Sequence, residues 1–444
     1  LPGRIFHGAP TKTLRKHLLN QTTVDTLVSF ENHGIFEDID NRYNFGVLTF
    51  ENKGSTSVLR GIFQHRDLDI LQNTDKLIDI PREVLTNFAP SSMLFPRIQR
   101  EEDVGMLRMA VQHPAVGDTE RSWHADPTRP LDKSLDSERF FDEPDECDYE
   151  ILTGRNFYSY SYDPTFHDLD EPFQWGVDED TDRDRSAKWR IREKKLSRVK
   201  RELFEQLNGS GTMVGFVNGE LQEERDEDLS EWDVKLPSTT YRIGFRRVAR
   251  GTDERSIIAA VVPPGPVCDY SFYVLEPFDI DVTRDSLSES PLRSIYNRVF
   301  SDKELFTALG LLNSLPFDFL VRRKIDNSIP IYSFEETQLP DVSQGDEWFD
   351  FVWTRAARLN CYGDAFANMR ERLDGIDPVT GEQERRELQA EIDAAAMHAY
   401  GMEREQAAFV VEQYHRVQNP RVRNDEYFYL VLEKYDDLID RNDA

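Results

Sequence analysis

Between Tyr241 and Lys324 the chain sets out, in fixed order, an arginine-loaded strand, a turn, an apolar strand and an apolar helix. This block limits the possible fold more than any other. It opens YRIGFRRVARGTDERSIIAAVVPPG, so residues alternate over Arg242–Arg247 before Gly251, Thr252 and Asp253 supply a turn. The run Ile257 to Val262 reads as a strand that is apolar throughout, and Pro263-Pro264-Gly265 ends it. About forty residues later comes LFTALGLLNSLPFDFLVRRK, an apolar helix that closes at Asn313-Ser314-Leu315-Pro316 and is followed by Arg322-Arg323-Lys324. Strands and helices that follow one another without a regular βαβ alternation imply an α+β lobe.

Further anchors lie on either side. Leu14-Arg15-Lys16-His17-Leu18-Leu19 is followed by Val28-Ser29-Phe30-Glu31-Asn32, and then by Ile35 to Phe45 with the sequence IFEDIDNRYNF. Midway stands Tyr149-Glu150-Ile151-Leu152-Thr153-Gly154-Arg155-Asn156-Phe157-Tyr158, and near the end Glu387 to Ala394 with Tyr400-Gly401-Met402. Taken together, these spaced motifs resemble large adenine-specific DNA methyltransferases of type IIG restriction–modification and of phage-defence systems of the phage-growth-limitation kind. On that resemblance, the Tyr241–Lys324 block corresponds to target recognition and the segment from Leu14 to Phe45 to the end of the catalytic domain. Gly154-Arg155 stands where the family's aromatic motif has Gly-Lys. The closing helix pair corresponds to Glu387–Met402.

The family also carries a glycine-rich S-adenosylmethionine loop and an Asn-Pro-Pro-Tyr tetrapeptide, and this chain has neither. Asn208-Gly209-Ser210-Gly211 reads as a turn, and Pro263-Pro264 lacks the preceding Asn and the following aromatic. S-adenosylmethionine is therefore implied only for a parent enzyme. Catalytic residues are expected on an upstream segment or subunit, as is any nuclease. Because the first residue is Leu1, the chain reads as a carboxy-terminal piece or the product of a split or truncated gene.

The organisation expected is an α/β remnant of a Rossmann-like methyltransferase sheet over residues 1–70, with helix Thr13–Asn20 and strands Thr26–Phe30, Phe45–Phe50 and Val58–Gln64. A linker follows over 71–95, with a helix opening at Pro81-Arg82-Glu83. Residues 96–340 are expected to form an α+β target-recognition domain and residues 341–444 a helical C-terminal region. Within that last region, Leu388, Ile392, Ala395, Ala396 and Ala399 share one face of a helix over Glu382–Ala399 that Gly401 stops, and a second helix runs from about Glu403 to Tyr414. The simplest role of this pair is packing.

The formal charge of −29 has the wrong sign for gripping a polyanion. With 13 lysines against 41 arginines, the acid-rich composition suits a salt-loving archaeon, where molar salt shortens the Debye length to about 3 Å and screens self-repulsion. In such salt, phosphate contacts weaken and base-edge contacts carry more of the binding. No apolar run reaches membrane-spanning length and no signal peptide opens the chain, so a cytoplasmic location is expected. Three scattered cysteines fit a reducing compartment and give no zinc spacing.

Double-stranded DNA is the partner implied, and the candidate contacts fall in four groups. Arg242, Arg246, Arg250 and Arg255 lie on or beside one strand and its turn, and arginine is the usual bidentate reader of guanine. The alternative for these is a solvated arginine face paired with carboxylates, and for Arg255 a structural tie between turn and strand. Lys188, Arg190, Arg192, Lys194 and Lys195 belong to the one strongly basic window, Arg183–Arg201, which suits phosphate contact or a merely solvated face. Arg155 and Asn156 sit on a turn beside Phe157 and Tyr158, aromatics that either stack on an extruded base or fill a strand core. Arg322 and Arg323 complete the set.

Other chemistries find little support. The nine histidines show no His-Glu-x-x-His pattern, and there is no Gly-x-Ser-x-Gly elbow, Walker loop or Pro-Asp…Glu-x-Lys nuclease core. Two readings stay open: DNA recognition for an N6-adenine methyltransferase, or a non-catalytic acidic assembly protein or decayed relic.

Overall fold

The computed structural model describes residues 1–444 apart from 33, 41–42, 125, 144–146, 163–173, 178–185, 210–214, 218–219, 223–233, 252, 282–295, 415–419, 421 and 443–444. It is a mixed α/β protein built on several small sheets rather than one large one.

In the amino-terminal part, helix α1 (Lys12–Gln21) leads into strands β1 (Thr23–Glu31), β2 (Asn44–Glu51), β3 (Val58–His65) and β4 (Ile78–Pro81). The sheet order is β2-β1-β3-β4. Only β1 and β3 run parallel, and the two outer pairings are antiparallel. This mixed layer matches the elements expected over residues 1–70, but one parallel pair does not amount to a doubly wound sheet. Val28, Phe30 and Leu59 are fully buried, and Gly46 is needed where Phe6 packs on β2, since a Cβ there would run into the Phe6 ring. Residues 71–95 are more than a connection. They supply β4 and helix α2 (Arg82–Phe88), whose Val84, Leu85 and Phe88 join the same core. Helix α3 (Glu101–Ala110) follows, its N-terminus capped by Asp103 accepting from the Gln99 and Arg100 amides.

His7 is buried at this junction, beside the Arg97–Asp326 ion pair, and its backbone carbonyl accepts from Tyr332 Oη at 3.3 Å. Burial depresses its pKa to about 4, with Asp326 opposing and Arg97 and Arg15 assisting. The unfolded chain therefore binds the extra proton between pH 6.5 and 4. Stability attributable to His7 is complete above pH 6.5 and is lost as pH falls toward 4, by up to about 3 kcal/mol. Urea melts at pH 7, 5.5 and 4 are expected to show a steeper loss for the native chain than for His7→Asn. Parallel pH profiles for the two would refute this.

The middle part contains β5 (Pro127–Thr128), β6 (Tyr149–Leu152), β7 (Gln174–Gly176), the long helix α4 (Ala187–Gly209), β8 (Arg242–Arg246), β9 (Ala259–Val262), β10 (Val267–Cys268) and β11 (Phe272–Leu275). Strands β9-β8-β11-β5 form an antiparallel sheet in that order, with Arg242 opposite Val262 and Ile243 opposite Leu275. β8 is central and covered on both faces. Ile243 and Phe245 enter the main core, where Phe245 stacks on Phe334 at 4.4 Å, while Gly244 lies against Val262, Phe157 and Phe272.

The longer helices that follow are α5 (Asp302–Leu312), α6 (Leu315–Arg322), α7 (Phe349–Asn360), α8 (Glu382–Ala399), α9 (Arg404–Glu412) and α10 (Asp425–Asn442). Ser301 and Glu304 form a capping box at the start of α5. Gly310 allows α5 and α7 to approach closely, since a Cβ there would sit 2.6 Å from Val352 Cγ1. α8 keeps the expected bounds, buries Leu388, Ile392, Ala395 and Ala396, and ends before Gly401 at φ +71°. No single helix among the described residues is long and apolar enough to cross a membrane. The pair α5–α6 is apolar but bent by 58° and buried.

Candidate nucleic-acid interface

The outer edge of β9 is closed by two side-chain amides, together with Tyr160 N–H, which donates to Ala259 C=O at 2.9 Å. Asn313, just after α5, accepts from Ala259 N–H (3.1 Å) and donates to Ala259 C=O (2.9 Å). Asn360, the last residue of α7, does the same to Val261, at 2.9 and 3.1 Å. Each amide thus replaces one residue of a neighbouring strand and ties the sheet to the helices.

This frame decides the fate of the strand arginines. Arg242 is 1% exposed, and its guanidinium donates to the carbonyls of Thr240 (3.1 Å), Pro263 (3.0 Å) and Pro266 (2.5 Å). Arg246 is half-buried and donates to Phe157 C=O. Arg255, buried, donates to Asn313 C=O (2.9 Å) and Gln389 Oε1 (3.0 Å). These three side chains therefore face internal acceptors and present no fork to a duplex. Alternation along β8 suggested a solvated face, but β8 has none. A guanidinium taken from water must find acceptors, and main-chain carbonyls supply them. Arg250 differs: it is exposed in the turn after β8, where its N–H donates to Asp253 (2.9 Å).

Arg322 is likewise internal, because Leu315-Pro316 starts a new helix rather than ending one, and α6 turns the basic run inward. Its Nε donates to Asp318 Oδ2 at 2.9 Å, and its remaining nitrogens reach the carbonyls of Gly251, Asp253 and Glu254. Asp318 has no exposed surface. It also accepts from Arg423 (3.1 Å) and from the amides of Ser256 and Ile257 (2.7 Å each). Burial alone would raise the Asp318 pKa, but Arg322, Arg423 and the amide donors hold it below the ordinary carboxylate range. Arg323 is half-buried, donating to Asp103 at 2.7 Å and lying over the Phe319 ring at 4.1 Å. Lys324 donates to the carbonyls of Phe88 (2.6 Å) and Glu336 (2.5 Å), and burial depresses its pKa to about 7.

The aromatics after Tyr149 are core. Phe157, Tyr158 and Tyr160 are buried, and Phe157 meets Phe272 edge-on at 4.8 Å. Arg155 is exposed on the turn Gly154–Asn156, while the Asn156 side chain lies outside the described residues. Gly154 N–H donates to Ser271 Oγ (2.7 Å) and Arg247 N–H to Ser271 C=O (2.8 Å). The turns that carry Arg155 and Arg250 are thus anchored at one corner of the sheet.

Helix α4 carries a row of cations, half-buried except for Arg201. Arg190, Glu193, Lys194, Ser197, Arg198 and Arg201 line a groove of about 360 Å³. Carboxylates hold several of these cations in place: Arg190 and Lys194 meet Asp136 (3.1 Å each), Lys195 meets Glu276 (2.5 Å) and Arg198 meets Asp126 (3.1 Å). Lys188 lies over the Tyr149 ring at 4.2 Å, Arg192 is half-buried, and Arg201 is exposed. Asp126 also pairs with His124 at 3.2 Å, an ion-paired hydrogen bond that raises the His124 pKa. Among the described residues, no three His, Cys, Asp or Glu side chains converge as a metal site. Asn208 and Gly209 close α4, and Ser210-Gly211 lies outside the described residues.

Sequence reasoning missed Asn313, Asn360, Asp318, Glu254 and Arg423 as organising residues. The available signal was a lone polar residue at the end, or inside, of an otherwise apolar helix: Asn313 after GLL, Asn360 after ARL, Asp318 within LPFDFLV. No protein-family model matches the chain, and no match is found among curated proteins. A solved structure of the type IIL restriction-modification enzyme MmeI in complex with DNA is similar at 11% identity and a TM-score of 0.37, over 90% of this chain. The chain spans about half (48%) of that enzyme's length. So distant a likeness assigns neither fold nor activity.

Proposed function

We propose that this chain recognises DNA sequence for an S-adenosylmethionine-dependent N6-adenine methyltransferase of a restriction–modification or phage-defence system. In this reading the cofactor loop and the Asn-Pro-Pro-Tyr motif belong to an upstream segment or a separate subunit. The resemblance of the spaced motifs supports it, and one observation carries it: in a chain of net charge −29, four cations of α4, Arg190, Lys194, Arg198 and Arg201, line one groove, and the two anchored turns add Arg155 and Arg250. Those cations suit phosphate contact, with Arg201, Arg155 and Arg250 as the exposed ones, Arg190, Lys194 and Lys195 as a carboxylate-oriented row behind them, and Lys188 set over the Tyr149 ring. Arg242, Arg246, Arg255 and Arg322 pass from contact to support. No step of methyl transfer is assigned to this chain, whose described residues offer no glycine-rich nucleotide loop.

Removing the three exposed guanidiniums tests this. Arg155→Ala, Arg201→Ala and Arg250→Ala combined are expected to weaken binding to a random-sequence duplex pool about 30- to 100-fold in 0.1 M salt, and to lower the slope of log affinity against log salt by about 3. Unchanged binding and slope would overturn the placement of the interface. Methylome sequencing of cells with and without the gene tests the adenine reading, which fails if no methylated motif disappears.

The internal bonding of four candidate guanidiniums, three of them buried, favours a second reading, an acidic assembly protein that does not touch DNA. It predicts no retention of duplex in filter binding at any salt concentration.

A further inference from the structure

Arg198, which lines the α4 groove, shares its carboxylate with a histidine. Asp126 Oδ2 accepts from Arg198 at 3.1 Å, and Asp126 Oδ1 meets His124 Nε2 at 3.2 Å. Arg198 also reaches Asp279, on the strand Phe278–Ile280, at 3.6 Å. Glu335, which ends the short helix Ile331–Glu335, adds its charge to those of Asp126 and Asp279 on the imidazole. Three carboxylates and one guanidinium thus surround a half-buried ring at the side of the groove.

A carboxylate only accepts, so Nε2 carries a hydrogen and the ring gains or loses its second proton at Nδ1. Nδ1 is shielded from water and meets no donor among the described residues, so no hydrogen bond through it favours the neutral ring. The hydrogen bond to Asp126, with the charges of Asp126, Asp279 and Glu335, outweighs burial and lifts the His124 pKa above the ordinary histidine value. The ring therefore changes charge close to neutral pH, where the charges of arginine and of a phosphodiester stay fixed.

We propose that His124 is a proton-operated control on the α4 groove. On taking up a proton it competes with Arg198 for Asp126 and adds a positive charge at the groove wall, so that polyanions bind more tightly as pH falls from about 8 to about 6. With a neutral ring, Asp126 spends its charge on Arg198 alone. With an imidazolium, the same carboxylate serves two cations, and the guanidinium is freer to meet a ligand. Only the identity of the polyanion as duplex DNA rests on the function proposed above.

A short heparin oligosaccharide, whose sulfates keep their charge over this range, probes the groove without regard to DNA. Its affinity for the full chain is expected to rise about fivefold from pH 8 to pH 6. His124→Gln, which keeps a neutral donor for Asp126, should bind at both pH values as the native chain does at pH 8. A second measurement needs no variant. Binding and protonation are linked reciprocally, so saturating heparin should raise the His124 pKa, read from its ring proton resonance, by about 0.7. Heparin affinity that does not change with pH, a change that survives in His124→Gln, or a ring that titrates alike with and without heparin would overturn the proposal. Duplex DNA is the second probe. If heparin responds and duplex binds equally at both pH values, or not at all, the control stands and the DNA interface proposed on α4 falls. A duplex that follows heparin supports both.

Discussion

Replacing Asp318 with alanine is expected to remove about 3–5 kcal/mol of stability, the largest effect of any single substitution in this chain. The carboxylate holds Arg322 and Arg423 in a site where neither guanidinium reaches water, and it receives the Ser256 and Ile257 amides as well. Without it, two cations and two N–H groups lose their acceptor together. The cost is that of uncompensated burial rather than of one lost pair. Asp318→Asn keeps an acceptor oxygen but not the charge, and should lose roughly half as much. Because the native carboxyl titrates below its ordinary value, its contribution is present above that value and lost only as pH falls beneath it. Urea melts at neutral pH decide the matter: a loss below about 1 kcal/mol for Asp318→Ala would show that the hub relaxes or hydrates.

The second large effect is expected at the edge of β9. Asn360→Ala strands both the N–H and the C=O of Val261 in a buried strand, at about 2 kcal/mol, whereas Asn313→Ala strands Ala259 N–H alone, since Ala259 C=O still accepts from Tyr160 N–H at 2.9 Å, and should cost about 1–2 kcal/mol. The two amides serve different residues, Ala259 and Val261, so the double variant should lose about the sum unless the strand detaches as a unit. Asn313→Asp retains the acceptor for Ala259 N–H while placing a charge against Ala259 C=O, and should be no better than alanine. Amide exchange at Ala259 and Val261 is the direct readout. Protection unchanged in both single variants would mean that other groups close this edge.

Much of the local structure was legible. The apolar run before Pro263-Pro264 became β9, and the periodic stripe from Leu388 became α8 with its expected ends. The candidate contact residues were harder for a definite reason. Alternation identifies which side chains share a face, but not whether that face meets water. β8 pairs with β9, whose sequence is apolar on both faces, and a strand bonded to such a neighbour is itself covered on both sides. That clue was present in IIAAVV, and it points to Arg242 and Arg246 as internal ties. In a lysine-poor chain, arginine is the cation at hand for binding carbonyls, so its abundance alone does not mark a contact surface. Arg322 misled through the helix boundary: Leu315-Pro316 reads as a stop, yet proline is equally at home in a first helical turn, and α6 begins there.

The amide clasp of Asn313 and Asn360, together with Gln389 on Arg255 and Arg423 on Asp318, bears on how such a lobe can be exchanged between proteins. Transplanting residues 96–340 into another scaffold would leave Asn360, Gln389 and Arg423 behind, and with them one half of each contact that finishes the sheet. A graft of this lobe must therefore take the terminal helices along, or rebuild those three side chains on the host.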